Sequence, residues 1–325
     1  MITMARVGLK LQRFEVLAAF LIAGFLVVAS IVARSILDAI EVPTSCWNLW
    51  FGGGLEAGSQ CEIVATQFLK VDGDAASRLI AAAALVPLAI GTFLGVPIVA
   101  REIEEGTASN TWALARSRSR WLAQRIGPPV VVILIVLGAL AIATEFLWAG
   151  RQPWAPLPRF DDAGLHGAPV AAKGFAALGL ALLAGSVLGR VLPATIVAAA
   201  LCLALYVGDQ AALAVWLDQE AKAHVVAVDS VQQVAFDDLY PGGTHFSSGW
   251  TTTNGTFLTN EDVKALAPSG VDAFRWADDH LRTAVDGVPG GAYPRWTEVE
   301  TSALVLIGLL GMALSFWVVA RRRPM

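Results

Sequence analysis

The densest group of charged side chains between two hydrophobic runs of this sequence lies between Arg101 and Arg125. Its charged members are Arg101, Glu102, Glu104, Glu105, Arg116, Arg118, Arg120 and Arg125. Such side chains form ion pairs, either within one chain or across a contact with another protein. The first interpretation pairs Arg101 with Glu105 one helical turn later and turns the later arginines toward lipid headgroups. It explains the arginines well and the acids poorly, so the acids indicate a protein partner.

The patterns that enzymes need do not occur in this sequence. None of the five lysines follows a glycine, so the Gly-Lys-Ser/Thr end of a nucleotide-binding P-loop is impossible. His224, His245 and His280 are not spaced as metal ligands. The hydrophobic runs hold no His–Glu or Ser–Lys pair. We therefore expect no catalytic residue, metal or cofactor in this chain, and a net charge of −4 gives no reason to expect nucleic acid.

Cys46 and Cys61 lie in one segment together with Gly52–Gly53–Gly54. Outside the cytoplasm, where the charge pattern described below places them, a pair of cysteines predicts a disulfide. The bond would pin a glycine-rich loop and would be structural rather than catalytic. Two free thiols are the alternative.

Six uncharged runs account for much of the chain, which is 56% hydrophobic and only 15% charged. A soluble domain carries about 25% charged residues, and a membrane-spanning helix needs about 20 mostly apolar residues. The runs are Val16–Ala33, Leu79–Ala100, Ile126–Thr144, Gly174–Gly189, Val191–Gly208 and Thr301–Ala320. They predict an all-α integral membrane protein with six transmembrane helices, because a helix satisfies its own backbone hydrogen bonds in lipid.

The basic residues orient these helices. The N-terminus, residues 101–125, Arg190 and Arg321–Arg322–Arg323 together hold 12 of the 23 lysines and arginines. The positive-inside rule makes that side cytoplasmic. The chain is then a multi-pass protein of the plasma (inner) membrane with cytoplasmic termini. Residues 1–15 predict either an amphipathic N-terminal helix on the membrane surface or a solvated basic tail.

Small and unusual residues in the runs predict how the helices pack. Gly91-x-x-x-Gly95 and Gly185-x-x-x-Gly189 have the spacing that lets two helices approach closely. The fourth run is short, so Lys173 is expected to extend it and to snorkel toward the membrane surface. Gly127–Pro128–Pro129 is expected to break the chain at that surface.

The long hydrophilic segment 209–300 predicts a partly helical extracytoplasmic domain between helices 5 and 6. Ser247–Gly255 is expected to be a loop. A helix should open at Asn260, because a capping side chain and early acids suit a helix start. Val271, Phe274, Leu281 and Val285 then make an apolar stripe, as on one face of a helix, that is ended by Gly287.

Capping signals divide residues 101–125 into three helical pieces. Gly106 interrupts the helix that leaves the membrane, Thr107 and Ser109 can cap a second helix, and Ser117 can cap a third. The chain would leave the membrane in an acidic helical piece, continue in a short lateral helix, and re-enter the membrane in a basic helical piece. Together the three pieces would form a rigid projection. Such a projection is well suited to docking in a groove of another protein.

The run from Pro97 to Trp121 resembles the loop after the second span of type-2, ABCG-like ATP-binding-cassette (ABC) exporter permeases, a family with bacterial members. The residues that carry the resemblance are Pro97, Ala100, Arg101, Glu102, Glu104, Gly106, Thr107, Ala108, Trp112, Leu114, Ser117, Arg118, Arg120 and Trp121. The layout of six spans, an amphipathic start and an outer segment before the last span matches over the whole chain. The outer segment 209–300 is longer than the family pattern.

This resemblance implies that the turn after span two contacts a separate ATPase. The implied ATPase-coupling residues are Arg101, Glu102, Glu104, Glu105, Gly106 and Thr107. The implied partners are cytoplasmic ABC ATPase subunits, which bind ATP and magnesium, and a second permease chain, identical or related, surrounded by membrane lipids.

The chain then consists of residues 1–208 with five spans and the coupling loop 101–125, the extracytoplasmic domain 209–300, and residues 301–325 with helix 6 and a basic cytoplasmic tail. The expected function is the permease subunit of an ABC exporter that moves a hydrophobic or amphipathic small molecule, peptide or lipid out of the cell. The alternative is a non-transporting ABC-type membrane complex that senses or regulates envelope partners through its outer domain.

The predicted orientation can be tested by thiol labelling in intact cells. A membrane-impermeant reagent should label Ser248→Cys and should not label Ser119→Cys, because the basic residues place position 119 in the cytoplasm. Labelling of position 119 without position 248 would invert the orientation.

Overall fold

A computed structural model of the chain describes residues 13–43, 45–46, 58–108, 117–151, 160–227 and 243–322. The chain divides into two compact units. The first, called here the helical unit, comprises Met1–Trp154, Gly164–Tyr206 and Thr297–Met325. The second, called here the mixed unit, comprises Ala155–Ala163 and Val207–Trp296.

Six helices in the described ranges are long and apolar enough to cross a membrane. They are α1 (Arg13–Ala39), α3 (Ser77–Glu104), α4 (Arg118–Arg151), α5 (Ala168–Leu188), α6 (Val191–Ala223) and α9 (Tyr293–Arg321). Each coincides with one of the six predicted runs, so the predicted all-α membrane class is confirmed. The amphipathic helix predicted for residues 1–15 lies largely outside the described residues.

Helix α3 is preceded by α2 (Gln60–Val71) and a π-helical turn (Asp72–Ala76). The Ser59 side chain caps α2 by accepting a hydrogen bond from the Glu62 N–H. A disulfide joins Cys61 in the first turn of α2 to Cys46, with the two Cα atoms 5.1 Å apart. The glycine-rich segment Gly52–Gly54 between them lies outside the described residues.

Helix α5 packs against α3 through glycine and alanine, and most of its side chains are buried. A Cβ atom on Gly91 would lie 2.8 Å from the Ala177 Cβ, and one on Gly95 would lie 2.7 Å from the Ala181 Cβ. From the other side, a Cβ on Gly185 would lie 2.8 Å from the Val96 carbonyl oxygen. The predicted close approach of helices at these glycines is thus present, and it brings the backbones of α3 and α5 into contact.

Gly189 has a different role from Gly185. It ends α5 in the left-handed conformation, with φ of 64°, and its N–H donates to the Gly185 carbonyl. A glycine adopts this conformation without the steric cost that a Cβ would add. The chain then turns at once into α6, which begins at Val191.

Helix α4 continues through Gly127–Pro128–Pro129, so the predicted break there is wrong. Each proline removes a backbone donor. Trp121, Leu122 and Ile126, in the turns before the prolines, are buried in the same core as the residues after them. That packing holds the helix together, as neighbouring helices do at prolines within membrane helices.

The mixed unit contains a four-stranded antiparallel sheet that was not predicted. Its strands are β1 (Val225–Ala227), β2 (Thr244–Thr251), β3 (Phe257–Leu258) and β4 (Arg282–Val288), in the order β1-β4-β2-β3. The prediction of a loop over Ser247–Gly255 is therefore wrong for its first five residues. Ser247 is held to β4 because its N–H donates to the Asp286 carboxylate at 2.8 Å.

Two short helices separate β3 from β4: α7 (Asn260–Leu266) and α8 (Ala273–His280). The start at Asn260 is as predicted, although the capping residue is Thr259, which exchanges hydrogen bonds with Asp262. Donation by the Thr259 hydroxyl and N–H lowers the pKa of Asp262 below its usual value. The predicted stripe through Val285 is wrong, because the helix ends at His280 and Val285 lies in β4.

An aromatic core lies where α6 and α9 pass through the mixed unit. The rings of Phe160, Trp216, Tyr293 and Trp296 pack there with centroids 5.3–5.7 Å apart. Aromatic pairs at this separation prefer tilted and edge-to-face arrangements, as here.

Alanine substitutions should distinguish packed glycines from exposed ones. Gly95→Ala should destabilise the protein by about 1–3 kcal/mol, because its methyl group would overpack the contact with Ala181. Gly138→Ala on α4 is the matched control: nothing lies within 4 Å of its Cβ position, so it should be neutral or stabilising by up to about 1 kcal/mol. Thermal unfolding of the purified protein would measure both; equal unfolding temperatures would contradict the packing of α3 on α5.

Candidate functional site

The C-terminal end of α3 holds three other helices through three charged side chains. Arg101 donates to the Glu15 carboxylate of α1 at 2.6 Å. Glu102 forms an ion pair with Arg125 of α4. Glu104 accepts a hydrogen bond from the Val191 N–H at the start of α6, at 2.8 Å. Residues of one helix advance by about 100° each, so these positions face three directions and reach three neighbours.

The pair between Glu102 and Arg125 is the most enclosed of the three contacts. The side chains of Glu102 and Arg125 are 10% and 19% exposed. A carboxylate at this depth needs a cation, because an isolated buried charge is strongly unfavourable. The pair therefore fixes the end of α3 against the first turns of α4.

Glu104 occupies a favourable position for a carboxylate. The first N–H groups of a helix have no partner within the helix, and its N-terminus carries partial positive charge. Glu104 satisfies one such group on α6 from a different helix. This joins the end of α3 to the turn between α5 and α6.

Beyond these contacts the chain turns sharply at Gly106. Its φ of 71° is in the left-handed region, and its N–H donates to the Ile103 carbonyl at 3.2 Å. The Thr107 hydroxyl donates to the Glu102 carbonyl, also at 3.2 Å. Gly106 thus ends the helix as predicted, and glycine is the residue best suited to that backbone conformation.

The predicted coupling residues therefore fall into two groups. Glu105, Gly106 and Thr107 are exposed at the turn and are called here the exposed tip. Arg101, Glu102 and Glu104 contact other helices and are called here the anchoring residues. The lateral helix predicted after Ser109 lies outside the described residues, which resume at Ser117.

The start of α4 completes this end of the helical unit. The Ser117 side chain accepts a hydrogen bond from the Arg120 N–H at 3.2 Å, which confirms the predicted cap. Arg118, expected to face lipid headgroups, instead donates to the carbonyls of Arg322 and Ala320 at the end of α9. Arg322 in turn donates to the Ser186 carbonyl of α5 at 2.6 Å. The last carbonyls of a helix lack partners within it, so arginines that cap them join α4, α9 and α5.

All six membrane-capable helices thus contribute to one charged end. The ends that meet are those of the N-terminal helix, residues 101–108, residues 117–125, the α5–α6 turn and the end of α9. This is the same grouping that the basic residues predicted. The end is called here the coupling end.

A second charged cluster, which sequence reasoning missed, lies at the other end of the helical unit. The Lys173 ammonium lies 3.2 Å from the Glu300 carboxylate of α9 and donates to the Gly164 carbonyl at 2.9 Å. Both side chains are only 1% exposed. The prediction that Lys173 snorkels is wrong, because an acid on α9 lies at the same depth and pairs with it.

The loop before α5 is also held to α4. The His166 ring lies 2.7 Å from the Glu145 carboxylate and stacks on Trp148 with ring centroids 4.2 Å apart. The Gly167 N–H donates to the Thr144 hydroxyl at 3.2 Å. The signal available in the sequence was that Glu145, Lys173 and Glu300 each adjoin an apolar run.

A comparison with known protein families matches residues 16–218 to the family described as ABC-2 membrane transporter related. The chain belongs to this family. The match covers α1 from its fourth residue, all of α2 to α5 and most of α6, including the segment between α3 and α4. No curated protein and no solved structure matches the chain.

Membership of the ABC-2 family establishes what kind of subunit this is. The ABC-2 chain is a multi-pass membrane protein of permease type, consistent with the plasma membrane, and it associates with ABC ATPase partners. It is not itself the nucleotide-binding subunit. Within the described ranges, no three His, Cys, Asp or Glu side chains are grouped as metal ligands.

Removing the Glu102 carboxylate should destabilise the protein itself. Glu102→Ala leaves Arg125 buried without its partner, and breaking a buried pair from one side costs about 3–5 kcal/mol. Glu105→Ala, three residues along at the exposed tip, should leave the unfolding temperature unchanged. Both are measured by thermal unfolding of purified protein; a Glu102→Ala protein as stable as Glu105→Ala would contradict the anchoring role.

Proposed function

We propose that this chain is the permease subunit of an ABC exporter that moves a hydrophobic or amphipathic small molecule, peptide or lipid out of the cell. Separate cytoplasmic ABC ATPase subunits, which bind ATP and magnesium, drive it at the coupling end. The observation that carries the proposal is the division between an exposed tip and three anchoring residues directly behind it.

The exposed tip is where the ATPase makes contact. Glu105 and Thr107 offer a carboxylate and a hydroxyl at the turn around Gly106, directly after the end of α3. Such a turn can enter a groove of another protein without unfolding α3. The positive-inside rule concerns only lysine and arginine. Membrane orientation therefore gives no reason for the Glu105 carboxylate, whereas a protein partner does.

The anchoring residues transmit a displacement of the exposed tip to the neighbouring helices. A displacement of the tip reaches α1 through Glu15, α4 through Arg125 and α6 through Val191. Helix α5 follows α3 because their backbones touch, and closely packed interiors transmit strain rather than absorb it. A push on three residues is thereby distributed over the helical unit.

A second permease chain, identical or related, completes the transporter in this proposal. Helix α6 leaves most of its apolar side chains exposed, among them Leu192, Ile196, Leu203 and Val207. Lipid and a second chain can both cover such a face. A pathway between two chains would be lined by apolar side chains of this kind, which suits a hydrophobic or amphipathic cargo. The outward direction rests on the resemblance of the 97–121 run to exporter permeases.

The mixed unit supports a second candidate, a non-transporting complex that senses or regulates envelope partners. It has its own aromatic core and a sheet, so it has the features of a separate binding domain. The two candidates share the coupling end and differ in the cargo. Movement of a fluorescent lipid or amphipathic dye across vesicles containing the complex would favour export.

The proposed contact is tested by charge reversal at the exposed tip. Glu105→Lys should keep the protein folded and inserted but lower permease-stimulated ATPase activity at least about tenfold, which corresponds to losing about 1.4 kcal/mol of interaction. The matched control is Glu261→Lys, an exposed acid on α7 in the mixed unit. The assay uses the co-purified complex in lipid nanodiscs. Full activity and full assembly of Glu105→Lys would refute the docking role.

A further inference from the structure

We propose that Lys173 and Glu300 are positioning residues of the transport cycle. Their ion pair is a latch that holds α5 against α9 at the end of the helical unit away from the coupling end, and it opens when α9 tilts on α5. The proposal rests on the exporter function proposed above, because it describes how movement at the coupling end reaches the far end of the bundle.

The first observation is the depth of the pair. Both side chains are 1% exposed, and their charged groups lie 3.2 Å apart. The Lys173 ammonium also lies 6.0 Å from the centre of the Tyr206 ring on α6. Well-packed apolar side chains would often hold two helices at least as firmly as a buried ion pair does. Charges inside membrane segments are rare and mark functional positions. When such a pair opens, each charge needs water or another polar group in place of its partner, because an isolated buried charge is strongly unfavourable.

The second observation is the form of the α5–α9 contact below the pair. Ala172 and Ala176 pack with Leu304, and next along the two helices Gly179 meets Gly308 and Gly311. A Cβ on Gly308 would lie 2.6 Å from the Phe175 ring. At Gly179 itself the contact with Gly308 is backbone on backbone, with no side chain between the two helices. The crossing at Gly179 can therefore act as a pivot.

The third observation is that polar contacts close the interface at both of its ends. At the coupling end, Arg322 donates to the Ser186 carbonyl at 2.6 Å. At the far end, Lys173 meets Glu300. The two polar contacts lie on opposite sides of the glycine contact at Gly179. A tilt of α9 about that point would therefore move its two ends in opposite directions, as in a lever.

The coupling end acts directly on this lever. Arg118, in the first turn of α4, donates to the backbone carbonyls at the end of α9. The Glu102–Arg125 ion pair ties the start of α4 to the end of α3. Movement of the start of α4 displaces the end of α9, and a tilt about Gly179 carries Glu300 in the opposite direction, away from Lys173.

A loop lies directly over the latch. Gly164 has a φ of 74°, and a Cβ there would lie 2.5 Å from the Lys173 ammonium nitrogen and the Glu300 carboxylate. Only glycine lets the backbone pass this close. Because His166 holds the same loop to α4, opening of the latch would loosen the covering of the far end of α5.

The test measures access to a cysteine placed beside the latch, in the full complex with its ATPase in lipid nanodiscs. Ala172→Cys, in a Cys202→Ser background, is labelled with a small water-soluble maleimide with and without ADP–vanadate. Ala172 is 4% exposed and adjoins Lys173. We expect trapping to raise the labelling rate about tenfold. Val99→Cys, at a 0% exposed position on α3 where cysteine is no larger than the native side chain, is the matched control and should stay unlabelled in both states.

The latch itself is tested without nucleotide. Lys173→Met and Glu300→Gln should each raise labelling of position 172 to the trapped level, and the exchanged pair Lys173→Glu with Glu300→Lys should restore the low rate. A merely structural pair would change stability without reproducing the trapped pattern. Labelling of position 172 that ignores both vanadate and the single substitutions overturns the proposal, whether or not the exchanged pair folds. A failure of the exporter function would appear instead as no movement of the fluorescent lipid or dye across vesicles containing the complex, so the two failures are distinguishable.

Discussion

The contact between the backbones of α3 and α5 is the constraint on which the rest of the helical unit depends. In lipid the hydrophobic effect does not drive helices together, so association relies on close packing and on polar contacts. Gly91, Gly95 and Gly185 allow that packing here because no Cβ holds the two backbones apart. The contact sets the position of the α3 C-terminus, and this in turn decides what Glu104 can reach. With α5 shifted outward by one side chain, the Val191 N–H would leave hydrogen-bonding distance and α6 would lose its tie to α3.

Charged residues at the coupling end act mainly on helix termini. Glu104 satisfies an N–H at the start of α6, while Arg118 and Arg322 satisfy carbonyls at the ends of α9 and α5. These backbone groups have no partner within their own helices. A side chain that caps a neighbouring helix gains a hydrogen bond to a group of complementary partial charge, and it holds two helices at a defined distance. The coupling end is thus assembled from ordinary capping interactions made between helices rather than within them.

The features that the sequence predicted well are those set by short stretches of chain. The six spans, the Ser117 cap and the glycine turn at 106 each depend on neighbouring residues only. The features that it could not predict depend on how distant segments align. The sequence indicated that Lys173 lies at a helix end. Its partner Glu300 is 127 residues further along the chain, and only the packing of α9 against α5 brings the two together. Gly127–Pro128–Pro129 carries a strong local signal for a break, but burial of Trp121 and Ile126 overrides it. The sheet escaped prediction because β2 contains serine and glycine, which weaken the alternation that marks a strand.

Separation of the exposed tip from the anchoring residues follows from the same electrostatics. A residue that pairs with a buried charge is not free to bind the ATPase strongly. Binding the ATPase would leave that buried charge without its partner. Glu102 is committed to Arg125, whose guanidinium is largely enclosed. Among the residues that the structure describes, no ion pair holds the exposed Glu105, so it can exchange water for a partner protein at little cost. Gly106 lies between the two roles: it ends the helix that the anchoring residues hold and turns the chain so that the tip projects. In the proposed function, displacement of the tip leaves the buried pair behind it intact, so a contact made at the surface would move the helices rather than detach from them.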